Sequence, residues 1–135
     1  MAEGYLKRRL KELGKEILVE STGTGTISGF KPSQEAIEAM KEIGIDVSGY
    51  ESSVLTREAV DKADVILVMA PMHKEAIVEM APIAKDKIFY LREFAKEGSL
   101  NKFIPDPIGK PIEFYRKILD VIKQSLEGFL KWLQN

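Results

Sequence analysis

The chain has 135 residues, of which 44% are hydrophobic and 30% are charged, and its net charge is −1. That length fits a single domain with a sizeable core, and the balanced charge argues against a nucleic-acid or membrane-surface partner. No apolar run approaches the roughly 18 residues needed to span a bilayer, and no signal peptide is visible, so a cytoplasmic location is expected. The absence of cysteine excludes disulfides, thiol redox chemistry and a cysteine nucleophile from these residues.

The first half of the chain is predicted to contain two helices separated by a short strand. Residues 2–13 carry apolar side chains at helical spacing, and Gly14 is a natural stop. Residues 33–43 repeat this pattern, with Ser33 as the N-cap and Gly44 as the stop. Between the helices, the apolar residues 17–19 within the segment 16–21 indicate a buried strand that enters the loop Thr22-Gly23-Thr24-Gly25.

The second half alternates helices with two further strands. Thr56 caps a short helix that ends near Lys62, residues 65–68 form an apolar strand, residues 71–80 form a helix, and residues 88–91 form the last strand. A loop through Asp106 leads to a long helix over 111–133. The apolar stripe of that helix consists of Ile112, Tyr115, Ile118, Leu119, Ile122, Leu126, Phe129 and Leu133. Strands that alternate with helices predict one α/β domain over 1–135, with a parallel, doubly wound, three-layer sheet.

Few residues in this pattern indicate chemistry on their own. Asp106 stands between two prolines, and by turn preference alone it is a turn and helix-entry residue. His73 has no second ligand or nucleophile at a suitable spacing, and Asp46 and Asp64 have no convergent carboxylate, so no metal site is predicted. The glycine loop at residues 22–25 lacks the Gly-Lys-Ser/Thr ending of a phosphate loop. The basic residues of the first helix are interpreted as a solvated face: Lys7, Arg8, Arg9 and Lys11.

Several short segments together resemble one family in their order and spacing. They are Met1-Ala2-Glu3-Gly4, Ser21-Thr22-Gly23-Thr24, Pro32-Ser33 with Ala36, Gly44-Ile45-Asp46, residues 63–69 with His73, and Asp106-Pro107 before the last helix. The chain thereby resembles the low-molecular-weight protein tyrosine phosphatases over nearly its whole length. Asp106-Pro107-Ile108-Gly109, with Phe114-Tyr115 after it, is more similar to the bacterial branch, which includes protein arginine phosphatases.

The resemblance implies a site of which this chain carries only one part. In the family, a Cys-x5-Arg loop between the first strand and the first helix supplies the thiolate nucleophile and holds the phosphate oxygens. An aspartate in an Asp-Pro turn protonates the leaving group and later activates water. Only that aspartate has a counterpart, Asp106, and Met1-Ala2-Glu3-Gly4 corresponds to the segment just after the loop. The expectation is therefore an N-terminally truncated, inactive domain without its central first strand.

Three functions follow from this resemblance. The first is a phosphatase that acts on phosphotyrosine or phosphoarginine proteins when complete and that needs no cofactor. The second is a non-catalytic binding module on the same scaffold. The third is an arsenate reductase, which several missing cysteines argue against. Ile108 stands where an aromatic residue often follows Asp-Pro, so the preference between phosphotyrosine and another substrate stays open.

The expected gap in the sheet has a structural consequence. Without a central strand, residues 16–21 and 65–69 would face each other with unpaired backbone groups. Either these two segments close up and pair directly, or a second copy of the chain covers the opening and gives a homodimer. Scarce Asn and Gln beside abundant Lys and Glu are also typical of proteins from heat-loving organisms.

Overall fold

The computed structural model describes residues 1–24, 29–95 and 102–134. In chain order, its helices and strands are α1 (Ala2–Glu12), α2 (Gln34–Glu42), α3 (Arg57–Lys62), β1 (Ile66–Val68), α4 (Pro71–Met80), β2 (Ile88–Tyr90) and α5 (Ile112–Gln134). Two 3₁₀ helices, Pro82–Lys87 and Leu91–Phe94, flank β2. Within the described ranges no helix is both long enough and apolar enough to cross a membrane.

Helix ends lie where the capping residues predict them. The Ser33 hydroxyl accepts a hydrogen bond from the N–H of Ala36 and starts α2, and Thr56 does the same for α3 through the N–H of Ala59. Gly44 follows α2 with a φ of 80°, a left-handed conformation that glycine adopts without steric cost. The five predicted helices are therefore confirmed, with ends that differ from the expectation by no more than two residues.

The strands β1 and β2 pair in parallel, with Ile66 opposite Ile88 and Val68 opposite Tyr90. Successive residues of the β1 region pack to opposite sides, as the twofold repeat of a strand requires. Val65, Leu67 and Met69 contact a cluster built mainly from α1 and α5, whereas Ile66 and Val68 belong to a cluster with residues of α3 and α4. Helices thus cover both faces of this two-stranded parallel sheet, and the larger wound sheet stays a prediction.

The long helix α5 connects two parts of the core. Its buried residues Ile118, Ile122 and Leu126 pack with α1, while Tyr115 and Leu119 pack against α2. Near its end, Gly128 lies against the 3₁₀ helix Leu91–Phe94, so closely that a Cβ atom there would be 1.7 Å from the Phe94 carbonyl oxygen. The apolar stripe predicted for this helix therefore forms much of the core.

The prediction of a buried strand over residues 16–21 is wrong. This segment has no regular secondary structure; the Leu18 side chain is 86% exposed and that of Ile17 is 48% exposed. Among the described residues, no backbone hydrogen bond to residues 16–22 is present, so direct pairing with the β1 segment, one of the two arrangements considered, is not observed there. The physical reason is that an apolar run becomes a strand only when a neighbouring strand satisfies its backbone.

The loop that follows makes its own short pairing. Gly23 forms an isolated parallel bridge with Val54: its N–H donates to the Ser53 carbonyl at 2.9 Å, and its carbonyl accepts from the N–H of Leu55 at 3.1 Å. Gly25 of the predicted glycine loop lies outside the described residues. Gly23 thus connects the loop to the segment around Val54 through its backbone.

Candidate active site

Asp106 lies on a segment that is fixed to the carboxyl end of the sheet. The N–H of Ile104 donates a 2.9 Å hydrogen bond to the carbonyl of Met69, the residue just after β1. Ile104 is buried, and so is Pro107 on the other side of the aspartate. Ligands of parallel α/β sheets bind beyond the carboxyl ends of the strands, so Asp106 is located where a substrate is expected.

A turn holds the carboxylate of Asp106 in place while leaving it exposed. Its Oδ1 atom accepts a 3.0 Å hydrogen bond from the N–H of Ile108, the two-residue Asx pattern typical of Asp. The N–H of Lys110 then donates to the Pro107 carbonyl at 2.9 Å, which closes the turn before α5. The aspartate is therefore oriented by the backbone and accessible to solvent, which allows contact with a bound substrate.

A second contact supports this segment from the side of β2. The guanidinium of Arg92, in the 3₁₀ helix Leu91–Phe94, donates a 2.7 Å hydrogen bond to the carbonyl of Phe103. Because the same 3₁₀ helix packs on α5, the segment that carries Asp106 is connected to both the sheet and the longest helix. Sequence reasoning did not identify Arg92, since nothing in its local pattern predicts a partner 11 residues away.

The remaining sequence candidates do not assemble into a second site. His73 is half-buried in the first turn of α4, and Asp64 is exposed just before β1. Asp46 accepts from the N–H of Ser48 at 2.9 Å, and hydrogen bonds from the Ser48 hydroxyl and N–H hold the pKa of this carboxyl below its ordinary value. In the part of the chain that the structure describes, no three His, Cys, Asp or Glu residues are grouped as metal ligands.

The basic face predicted for α1 is only partly a solvated face. Arg8 donates to the Gly44 carbonyl at 2.7 Å, and Arg9 forms a 2.7 Å ion pair with Glu127 of α5. The same carboxylate accepts from the Tyr5 hydroxyl at 2.6 Å. Burial, followed by the hydrogen bond to Glu127, raises the pKa of Tyr5 to about 12. These residues therefore connect α1 to the rest of the fold.

The start of α1 lies beside the end of the segment that was predicted to be a strand. The Ser21 hydroxyl donates a 2.5 Å hydrogen bond to Glu3, which also forms a 2.6 Å ion pair with Lys7. Met1 packs against the clusters on both sides of α1. Ser21 and the first turn of α1 are thus neighbours, although 18 residues separate Ser21 from Glu3 in the chain.

Comparison with known proteins identifies the class to which this arrangement belongs. Residues 1–135 match the family model described as low molecular weight phosphotyrosine protein phosphatase. A protein-arginine-phosphatase from Bacillus subtilis is 31% identical over 134 residues, which are 99% of this chain and 87% of that protein. The chain therefore belongs to the low-molecular-weight phosphotyrosine protein phosphatase family, as the sequence motifs indicated.

Two further proteins are similar to this chain, one in structure and one in sequence. The crystal structure of a YwlE mutant from Bacillus subtilis superposes with a TM-score of 0.89 at 30% identity, covering 99% of this chain and 88% of that one. An arsenate reductase from Staphylococcus haemolyticus is 30% identical over 129 residues, 96% of this chain and 84% of that protein. The α/β fold of the phosphatases is thus established for this chain.

Proposed function

We propose that this domain serves the removal of phosphoryl groups from phosphorylated proteins, with phosphotyrosine or phosphoarginine as the substrate side chain and Asp106 as the general acid. The supporting observation is the position of Asp106, exposed in an Asx turn that the Met69–Ile104 hydrogen bond fixes beyond the carboxyl end of β1. In the family that the sequence motifs resemble, an aspartate in an Asp-Pro turn protonates the leaving group. The two substrate classes are those in the family description and in the name of the protein-arginine-phosphatase relative.

The chemistry divides into two steps, and Asp106 acts in both. A thiolate attacks phosphorus and displaces the leaving group, which takes a proton from the Asp106 carboxyl; the ionised carboxylate then removes a proton from the water that releases phosphate. None of the 135 positions is a cysteine, so these residues supply the acid without the nucleophile. We infer that these 135 residues alone do not hydrolyse a phosphate ester, and that a cysteine-bearing loop placed before α1 would complete the site.

Two alternatives on the same scaffold make different predictions. A non-catalytic module would bind a phosphorylated protein without needing the Asp106 carboxyl for any chemical step. An arsenate reductase would require thiols that pass electrons, and the lack of cysteine in this sequence disfavours it despite the similarity to such enzymes. A cytoplasmic location belongs to the same proposal.

An assay of the purified 135-residue chain tests the first part of this proposal. With p-nitrophenyl phosphate we expect no detectable turnover, because these residues contain no cysteine that could attack phosphorus. The Asp106→Asn variant serves as the matched control, since it removes the acid and conserves the size of the side chain. Turnover that survives rigorous purification and falls in this variant would show that the chain itself hydrolyses the ester without a cysteine, and it would contradict the proposal.

Fusion of a first strand and a phosphate loop before α1 tests the second part of this proposal. A strand and a Cys-x5-Arg-Ser-Pro segment of the family's pattern, fused before Met1, should produce a phosphatase. Its relative rates on phosphotyrosine and phosphoarginine peptides would define the substrate. A fusion that folds, binds phosphate and still fails to hydrolyse either peptide would favour the binding module.

A further inference from the structure

The aromatic ring of Tyr90 has two lysine ammonium groups beside it. The Nζ atoms of Lys74 and Lys102 each lie 5.6 Å from the centroid of this ring. They reach it from different parts of the chain, because Lys74 lies in the first turn of α4 and Lys102 lies in the segment that leads to Asp106. An aromatic face attracts a cation, so the ring gathers two positive charges at one place. We call these three residues the Tyr90 cluster.

The Tyr90 cluster lies at the same end of the sheet as Asp106. Tyr90 is the last residue of β2 and is paired with Val68, the last residue of β1. Lys102 precedes Asp106 by four positions, so their Cα atoms are at most about 14 Å apart. An extended peptide covers that distance in about four residues. Neighbours of a phosphorylated residue bound at Asp106 are therefore within reach of the cluster.

The charges around the Tyr90 cluster are mainly positive. Arg92 adds a third cation, because its guanidinium donates a 2.7 Å hydrogen bond to the backbone carbonyl of the residue after Lys102. Among the described residues Lys74 has no ion-pair partner, and Lys102 has Glu93 at 3.9 Å. The side chains of that pair are 58% and 47% exposed, so water screens their attraction. The cluster is therefore suited to attract an anionic group.

We propose that the Tyr90 cluster binds acidic side chains of a protein substrate, at positions within about four residues of the phosphorylated one. This inference rests on the proposed function, which it deepens by naming the preferred sequence around the phosphorylated residue. Carboxylates of the substrate lie against Lys74 and Lys102 while the phosphoryl group lies at Asp106. The ring of Tyr90 is a positioning group, because it holds both lysine side chains in place before the substrate arrives.

Titration of the 135-residue chain with peptides tests this site without any chemical step. The probes are a tyrosine peptide with two glutamates on each side and the same peptide with glutamines in their place. In a two-dimensional amide NMR spectrum the acidic peptide should shift the signals of residues 72–74, 89–92 and 102–104, and the glutamine peptide should shift them at least about threefold less. The difference should shrink in concentrated salt, because mobile ions screen exposed charges. Equal responses to both peptides, or responses confined to other residues, would overturn the proposal.

Variants separate the roles of the three side chains. Lys74→Gln combined with Lys102→Gln should abolish the preference for the acidic peptide. Lys85→Gln is the matched control and should keep it, because Lys85 is exposed in the 3₁₀ helix Pro82–Lys87, before the opposite end of β2. Tyr90→Phe should also keep the preference, since the ring remains, whereas Tyr90→Leu should weaken it. Circular dichroism establishes that each variant is folded, and a preference that survives the double lysine variant would contradict the proposal.

The fusion with the Cys-x5-Arg-Ser-Pro segment tests the connection to catalysis. Its kcat/KM is measured on phosphotyrosine and phosphoarginine peptides, each with glutamate or glutamine flanks. On the peptide that it hydrolyses, glutamate flanks should raise kcat/KM about three- to tenfold, mainly through KM, and the double lysine variant should lose this gain. Hydrolysis of neither peptide would contradict the proposed function, and the NMR titration would still decide whether the Tyr90 cluster binds acidic residues. An active fusion that treats both flanks equally would overturn the role of the cluster in substrate choice.

Discussion

The packing of α5 on the 3₁₀ helix Leu91–Phe94 predicts the effect of a single methyl group. In Gly128→Ala the new Cβ atom would be 1.7 Å from the Phe94 carbonyl oxygen and 2.7 Å from the carbonyl carbon. Contacts below 3.0 Å are essentially never observed, so the two elements would have to separate by roughly 1.3 Å. The obstacle is backbone, which cannot rotate away as a flexible side chain can.

Two opposing effects determine the magnitude of this change. Alanine is favoured over glycine inside a helix by about 1 kcal/mol, whereas overpacking of a core costs about 1–3 kcal/mol. Because a backbone carbonyl is the blocking group, we expect the upper part of that range and a net loss of about 2 kcal/mol. For a domain of this length such a loss lowers Tm by roughly 7 °C.

Thermal unfolding followed by circular dichroism measures this loss. Gly49→Ala is the control, because nothing lies within 4 Å of a Cβ atom at Gly49 and its φ is not positive. That variant should unfold within about 0.5 kcal/mol of the wild type. If Gly128→Ala were as stable as the wild type, or more stable through its better helix propensity, the close approach of α5 to Phe94 would be refuted.

Two further predictions concern a helix cap and a contact between elements that are distant in the sequence. Ser33→Ala should destabilise by about 1 kcal/mol in urea unfolding, because the N–H of Ala36 loses its cap; an unchanged midpoint would contradict that role. In a spectrophotometric titration Tyr5 should ionise near pH 12, above its ordinary pKa of 10, and Glu127→Gln should lower that pKa. Because the pKa of Tyr5 is raised in the folded state, the contribution of the neutral Tyr5 hydroxyl to stability is fully present below pH 10 and is lost as the pH rises through about 12. The wild type should therefore lose more stability than Tyr5→Phe over this range, and an equal loss in the two proteins would contradict the raised pKa.

Local signals were sufficient to predict the helices. Ser33 and Thr56 define the starts of α2 and α3 through contacts to residues three positions away, and such contacts depend little on the rest of the fold. The turn at Asp106 is local in the same sense, since its carboxylate binds the N–H of Ile108. Local preference therefore predicted the turn at Asp106, whereas its role as the acid rests on the family resemblance and stays a prediction.

Features that depend on distant residues were predicted poorly. The apolar run around Leu18 has the composition of a buried strand, but the partner strand decides whether such a run is buried. The ion pair between Arg9 and Glu127 joins residues 118 positions apart, and nothing near either one predicts the other. The two 3₁₀ helices were also missed, because short turns of this kind carry no periodic pattern.

The role of Asp106 is tested most directly in the fusion that carries the Cys-x5-Arg-Ser-Pro segment. Asp106→Asn should lower its turnover of phenyl phosphate by about 10²–10⁴-fold and its turnover of p-nitrophenyl phosphate less, because nitrophenolate leaves with little need of a proton. Asp64→Asn, at another exposed aspartate, should change neither rate. Equal turnover of phenyl phosphate by the Asp106→Asn fusion and its parent would contradict the assignment of Asp106 as the general acid.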